Sequence, residues 1–197
     1  MMAQMKVLVT TYHVEINSAA ELVPTGSSRT PYELIRAELP LPELNRFLYA
    51  SVGADWRWYQ RLEWTYARWQ AWLDRGAVGT WIAYVAGTPA GYFELEWQPP
   101  GSVEICYFGL LPRFIGQGMG GALLTDAVRT AQSFGAAMAG GQVAAAGDVR
   151  VWLHTCTLDH PAALANYQSR GFRIFDTVEA LEDVPEHPLG PWPGANG

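Results

Sequence analysis

The sequence predicts an α+β fold: a mixed, largely antiparallel sheet flanked by helices. Three observations carry this reading. Between Thr80 and Leu110, three strand-like runs follow one another with only short turns between them, the pattern of an antiparallel meander. A cluster of glycines at 116–121 then opens a long amphipathic helix. After it, strand and helix alternate to about residue 178, which mixes both element types in one layer system.

In chain order, Lys6–Ile16 is β-branched and partly alternating, so it reads as a strand. Glu21–Leu39 is broken by Pro24, Gly26 and Pro31 and carries no clear period. Pro42–Val52 reads as a short helix. Leu62, Tyr66, Trp69 and Leu73 recur at helical spacing and predict a helix over Arg61–Arg75, ended by Gly76 and Gly79. Thr80–Val85, Ala90–Trp97 and Val103–Leu110 are the meander, turning at 86–89 and 98–101. Leu123, Leu124, Ala127, Val128, Ala131 and Phe134 mark one face of the next helix. Met138–Asp148 is rich in Ala and Gly and reads as a loop or frayed helix end. Val149–Thr155 is a strand, and His160–Arg170 a helix with Pro161 in its first turn and Gly171 at its C-terminal cap. Phe172–Val178 is the last strand. The segment from Pro185, with Pro188, Pro191 and Pro193, reads as a loose tail. No internal repeat or domain boundary stands out, so residues 1–184 are expected to form one domain.

The bulk numbers narrow the function. At 197 residues, 49% hydrophobic and 16% charged, the chain is of globular composition and long enough for a sizeable core. A net charge of −6 argues against nucleic acid, which calls for a basic stripe. No run of about 18 apolar residues is present, so no membrane span is expected. The opening residues lack the pattern of a secretory leader, and a cytoplasmic location is expected. The two cysteines, Cys106 and Cys156, sit in apolar runs and read as buried free thiols. No Cys/His cluster has zinc spacing, so no metal is expected.

Gly116, Gly118 and Gly120 stand at alternate positions, followed by Gly121 and a helix. Without Cβ atoms the backbone can turn sharply and approach a ligand closely. Its N–H groups then face outward at a helix N-terminus, where negative charge is favoured. Phosphate is the natural guest. A dinucleotide motif is disfavoured, although Gly116, Gly118 and Gly121 fit its spacing. Residues 111–115 separate the glycines from the strand, a meander precedes them, and no acidic residue lies about 20 positions on. A P-loop is excluded, because no Lys-Ser or Lys-Thr follows the glycines.

Two segments resemble the GNAT superfamily of coenzyme A-dependent acetyltransferases. Leu111-Pro112-Arg113-Phe114-Ile115-Gly116-Gln117-Gly118-Met119-Gly120 is similar to that family's pyrophosphate turn. Ile115 stands where the family commonly has Arg, so one charged contact is missing or comes from elsewhere, Arg113 being the nearby cation. His160-Pro161-Ala162-Ala163-Leu164-Ala165-Asn166-Tyr167-Gln168-Ser169-Arg170-Gly171-Phe172 is similar to the family's late helix, with His160 where Asn is frequent. The resemblance covers about Thr80–Val178.

It implies a sheet splayed between the strands on either side of the glycine-turn helix, with acetyl-CoA as cosubstrate. The implied cofactor contacts are Leu110, Leu111, Gly116, Gln117, Gly118, Met119, Gly120, Gly121, His160, Ala163 and Tyr167. The implied acceptor is a primary amine on a small molecule or peptide, acetylated by direct transfer; a homodimer stays open. Tyr167 matches the family's tyrosine near the cofactor sulfur and is the candidate general acid, the alternative being a packing residue. Glu104, flanked by apolar residues, is the candidate general base, with Glu94, Glu96 and His154 as rivals and a solvated strand residue as the plain alternative. Trp56, Trp58, Tyr59, Trp64, Tyr66, Trp69 and Trp72 form either core or a wall of the acceptor pocket. A module that binds acyl-CoA without catalysis is the competing function.

Overall fold

The computed structural model of the chain describes residues 4–140 and 149–185. One sheet carries seven strands: β1 Gln4–Ile16, β2 Glu33–Arg36, β3 Val78–Val85, β4 Thr88–Gln98, β5 Ser102–Leu110, β6 Arg150–Cys156 and β7 Arg173–Pro185. Their spatial order is β2-β3-β4-β5-β6-β1-β7. All neighbours are antiparallel except β5 and β6. The meander is therefore present as expected, and so is the mixed sheet. The assignment of 185–197 as a loose tail lies outside the described residues except for Pro185, and that of 138–148 mostly does.

Four helices flank the sheet: α1 Pro42–Gly53, α2 Tyr66–Leu73, α3 Met119–Met138 and α4 Ala163–Ser169. The six apolar residues that marked one face of α3 are all buried. They meet Val14, Ile16, Phe93, Leu95, Val103, Val151 and Leu153 in the main core. On the opposite face, α1 packs Leu48 and Val52 against Ile82 and Tyr92.

Five features depart from the sequence reading. The helix predicted over Arg61–Arg75 begins only at Tyr66, where Thr65 accepts a hydrogen bond from Arg68 N, a standard N-cap. Residues before it are drawn inward: Arg61 N donates to Tyr49 Oη, and the Arg61 guanidinium reaches Glu94 at 2.7 Å. Pro161 lies outside α4, whose cap is Ala162; there Ala162 N donates to His160 Nδ1. β2 was not visible in sequence. Finally, the last strand runs on to Pro185, past the expected end at Val178; beside it β1 is an interior strand, with β6 on one side and β7 on the other. Gly171 does adopt a left-handed φ of 99° just past α4, as a C-terminal stop requires.

β5 and β6 are joined only through Ser102–Glu104 opposite Arg150–Trp152. Beyond that point they diverge. The β4–β5 register shifts there too: Glu94 faces Tyr107 while Leu95 faces Ile105, which makes Cys106 the extra residue of a bulge. A bulge bends its strand and re-aims side chains, and this one sits where the two strands part.

Candidate active site

The divergence opens a cleft of about 700 Å³. One wall is β5 from Ile105 to Leu110, the other β6 at Leu153, His154 and Cys156. Past the last paired residues, the inner edge of β5 has no partner strand, so alternate backbone N–H groups there are open to a guest.

At one end of the cleft stands the glycine turn. Gly116 and Gly118 have φ of 81° and 80°, a region where a side chain on an L-residue is strained. Gly118 is the N-cap of α3 and no side chain satisfies the first turn of that helix, leaving its N–H donors available. Gly116, Gly118, Gly120 and Gly121 all line the cleft. A methyl at Gly116 would meet nothing within 4 Å; its bareness serves a conformation and an approach, not internal packing. The cradle fits a pyrophosphate.

The neighbouring residues divide. Leu110, His160, Ala163 and Tyr167 line the cleft. Met119 does not: its side chain is fully buried beside Ala90 and Phe114, so it offers only backbone. Gln117 turns aside, donating to Arg113 O and accepting from Thr30 Oγ1. Leu111 N donates to Ala90 O at 2.9 Å, and Leu111 O accepts from Phe114 N. Its backbone is thus already engaged, and Leu110 is the strand-end residue left facing the cleft.

Tyr167 packs edge-on to Phe108 and Phe172, with ring centroids 6.2 and 6.0 Å away. Burial pushes its phenol pKa up, and Asp159 adds to the rise. It therefore keeps its proton at neutral pH. Glu104 sits at the vertex, opposite Trp152, and accepts a 2.8 Å hydrogen bond from Gln98 Nε2. Burial, then repulsion from Glu96, raises its pKa from 4.5 to about 6. The cleft lining begins one residue further on, at Ile105.

The rivals also divide. Glu94 is buried and accepts from Arg61, Trp72 Nε1 and Asn45 Nδ2, so both of its oxygens are already engaged. Glu96 is paired with Arg75. His154 lines the cleft. Loss of water contact, then His13 at 5.9 Å, lower its pKa while Asp159 pulls the other way; the net result keeps the imidazole neutral near pH 7. Cys106 and Cys156, expected to be buried, are half-buried and line the cleft; both thiols are shifted upward, chiefly by loss of water contact, in keeping with unreactive thiols.

The aromatic set resolves into separate roles. Trp56 and Trp58 line the cleft. Trp64, Trp72 and Tyr107 enclose the Arg61 guanidinium at 4.6, 4.3 and 4.4 Å, and Trp69 is core. Much of the wall suggested for a cationic guest thus holds the protein's own cation.

Asp159 is among the cleft residues that escaped sequence reasoning. Asp159 Oδ2 accepts from Thr155 Oγ1 at 2.6 Å and Cys156 N at 3.0 Å, and Oδ1 accepts from Trp58 Nε1 at 3.4 Å. It lines the cleft beside Tyr167. The run Thr-Leu-Asp-His-Pro before a helix was the available signal, since Asp there favours a turn through its own side chain.

The model of the Acetyltransferase (GNAT) family matches residues 42–172. Among solved structures, a GCN5-related N-acetyltransferase from Kribbella flavida is similar with a TM-score of 0.56 and 16% identity, over 90% of this chain and 60% of that one. One from Sphaerobacter thermophilus gives 0.55 and 15%, over 95% and 62%. A tandem GNAT protein from the clavulanic acid biosynthesis pathway gives 0.55 and 15%, over 89% and 55%. The chain thus spans about six-tenths of the length of these structures, and the likeness is one of fold. No curated protein matches the sequence. No helix among the described residues is long and apolar enough to cross a membrane.

Proposed function

The chain belongs to the GNAT acetyltransferase family, and on that premise we propose that it moves an acetyl group from acetyl-CoA to a primary amine of a small molecule or peptide by direct transfer. The observation that carries this reading is the single cleft running from the glycine cradle to Tyr167 and on to Trp56, Trp58 and Asp159. Gly116, Gly118, Gly120 and Gly121 would hold the pyrophosphate, and Leu110 with the open edge of β5 the arm that follows. The cosubstrate supplies an activated thioester carbonyl. This chain must then hold that carbonyl with backbone donors, take a proton from the ammonium, and return one to sulfur.

Tyr167 is the acid of this proposal: a phenol kept protonated on the cleft wall, able to donate as negative charge develops on sulfur. Two groups can take the ammonium proton. His154 would do so from the lining, and Glu104 from the vertex, one residue outside it. Asp159 and Glu182, the carboxylates of the lining, would attract the incoming cation.

Thermal melts test the reading. Acetyl-CoA at 100 times its Kd should stabilise by about 2.7 kcal/mol, while NADH at equal concentration should not. A panel of primary amines should then release free CoA. Stabilisation by NADH alone would overturn the family chemistry. Stabilisation by acetyl-CoA with no amine consumed would point to the non-catalytic module.

A further inference from the structure

The glycine turn has a backbone cradle but no cation in its own sequence aimed at the guest. Ile115 occupies the position where the resembling motif carries Arg, and Arg113, the nearest cation in sequence, does not line the cleft. Residues 22–32, which sequence reading left as an unpatterned stretch, run as a strap along the first half of α3. Val23 N donates to Arg170 O at 3.0 Å. Thr25 N donates to Thr125 Oγ1 at 3.2 Å, Thr30 Oγ1 to Gln117 Oε1 at 3.3 Å, and Tyr32 Oη to Asp126 Oδ2 at 2.6 Å. These bonds fix the strap to α3, to the turn and to the end of α4.

The strap carries Arg29 to the mouth of the cradle. A methyl built on Gly118 would stand 3.2 Å from Arg29 Nε and 3.8 Å from Nη2. Arg29 lines the cleft with the glycines, and none of the ion pairs among the described residues uses it. Arg170 Nη1 would stand 2.8 Å from a methyl built on Gly121, but its Nε donates to Ser169 O and Arg170 is not part of the lining. We propose that Arg29 clamps the pyrophosphate of the cosubstrate, supplying from a distant segment of the same chain the cation that the glycine turn lacks. Guanidinium is suited to this, since its planar fork meets two phosphate oxygens at once. The proposal rests on the acetyl-CoA reading above, and adds that the strap is part of the binding site.

Isothermal titration with acetyl-CoA and with 3′-dephospho-acetyl-CoA tests it, on the full chain and without turnover. Arg29→Gln should weaken both ligands about five- to thirtyfold. It should also flatten the dependence of affinity on salt. Its unliganded melting temperature should stay at the wild-type value, because among the described residues no hydrogen bond of the strap uses the guanidinium. Arg113→Gln, which removes equal charge from the turn itself, should bind as wild type. Equal affinity for Arg29→Gln and wild type overturns the proposal. So does a loss confined to acetyl-CoA, which would put Arg29 on the 3′-phosphate, and so does an equal loss in Arg113→Gln. Wild-type protein that binds neither ligand defeats the cosubstrate reading itself.

Discussion

Glu104→Gln separates electrostatics from shape, because the amide keeps the size of the side chain and can still accept from Gln98. In the folded chain the Glu104 pKa is raised from 4.5 to about 6, by burial first and Glu96 second. Between those values the native state holds more protons than the unfolded one, so stability falls as pH rises through this window. Below 4.5 the carboxyl is neutral in both states and costs nothing. Above about 6 it is ionised in both, and the fold bears the full penalty. At about 1.36 kcal/mol per pH unit the penalty is about 2 kcal/mol, trimmed to about 1–2 kcal/mol by partial solvent contact. Glu104→Gln should therefore be more stable than wild type at pH 8, by about 2–8 °C in Tm for a domain of this size. Near pH 4.5 the two should melt together. Scanning fluorimetry over pH 4.5–8 measures this. A Tm difference independent of pH, or a variant less stable at pH 8, would refute the electrostatic argument. On activity, if Glu104 takes the proton, the variant should lose kcat/KM at pH 7 and recover part of it at high pH, where free amine is abundant.

Other substitutions isolate other groups. His154→Gln should remove an acidic limb of the kcat/KM profile lying below pH 6.5, since the imidazole pKa is lowered; a limb retained there and lost in Glu104→Gln would assign the base to the carboxylate. Tyr167→Phe keeps the ring contacts with Phe108 and Phe172 and should lower kcat about ten- to a thousandfold, with acetyl-CoA affinity unchanged by titration calorimetry. Arg61→Met leaves Glu94 buried without its cation and should cost about 3–5 kcal/mol in urea melts; adding Glu94→Gln to that variant should restore part of the loss.

Elements with a local signature were legible in the sequence. The α3 face was named residue by residue because a 3.6 period shows in one sequence, and the glycine turn because Gly116 and Gly118 need φ that other residues resist. The overlong helix at 61–75 had genuine periodicity at Leu62, Tyr66 and Trp69. What shortened it was a tertiary demand: Arg61 must reach Glu94, 33 residues later, and no window of sequence contains that pairing. Asp159 and Arg29 were missed for the same reason. Each lies in an aperiodic stretch and acquires its place only when β5 and β6 part, or when the strap lies along α3. The rank of β1 in the sheet was equally hidden, as an interior strand and an edge strand can share one β-branched pattern.

That interior position has a consequence for how the chain is made. Thr11 pairs with Cys156 on one side and with Val178 on the other. On a ribosome adding about 5–20 residues each second, β1 emerges roughly 7–30 s before either neighbour exists. Throughout that interval a β-branched run, Lys6-Val7-Leu8-Val9-Thr10-Thr11-Tyr12-His13-Val14, has both edges unpaired, the condition under which strands capture other chains. The last closure is also a long one, carrying a high loop-entropy cost before any contact rewards it. Yield in cells should thus hinge on whatever shields this strand during synthesis.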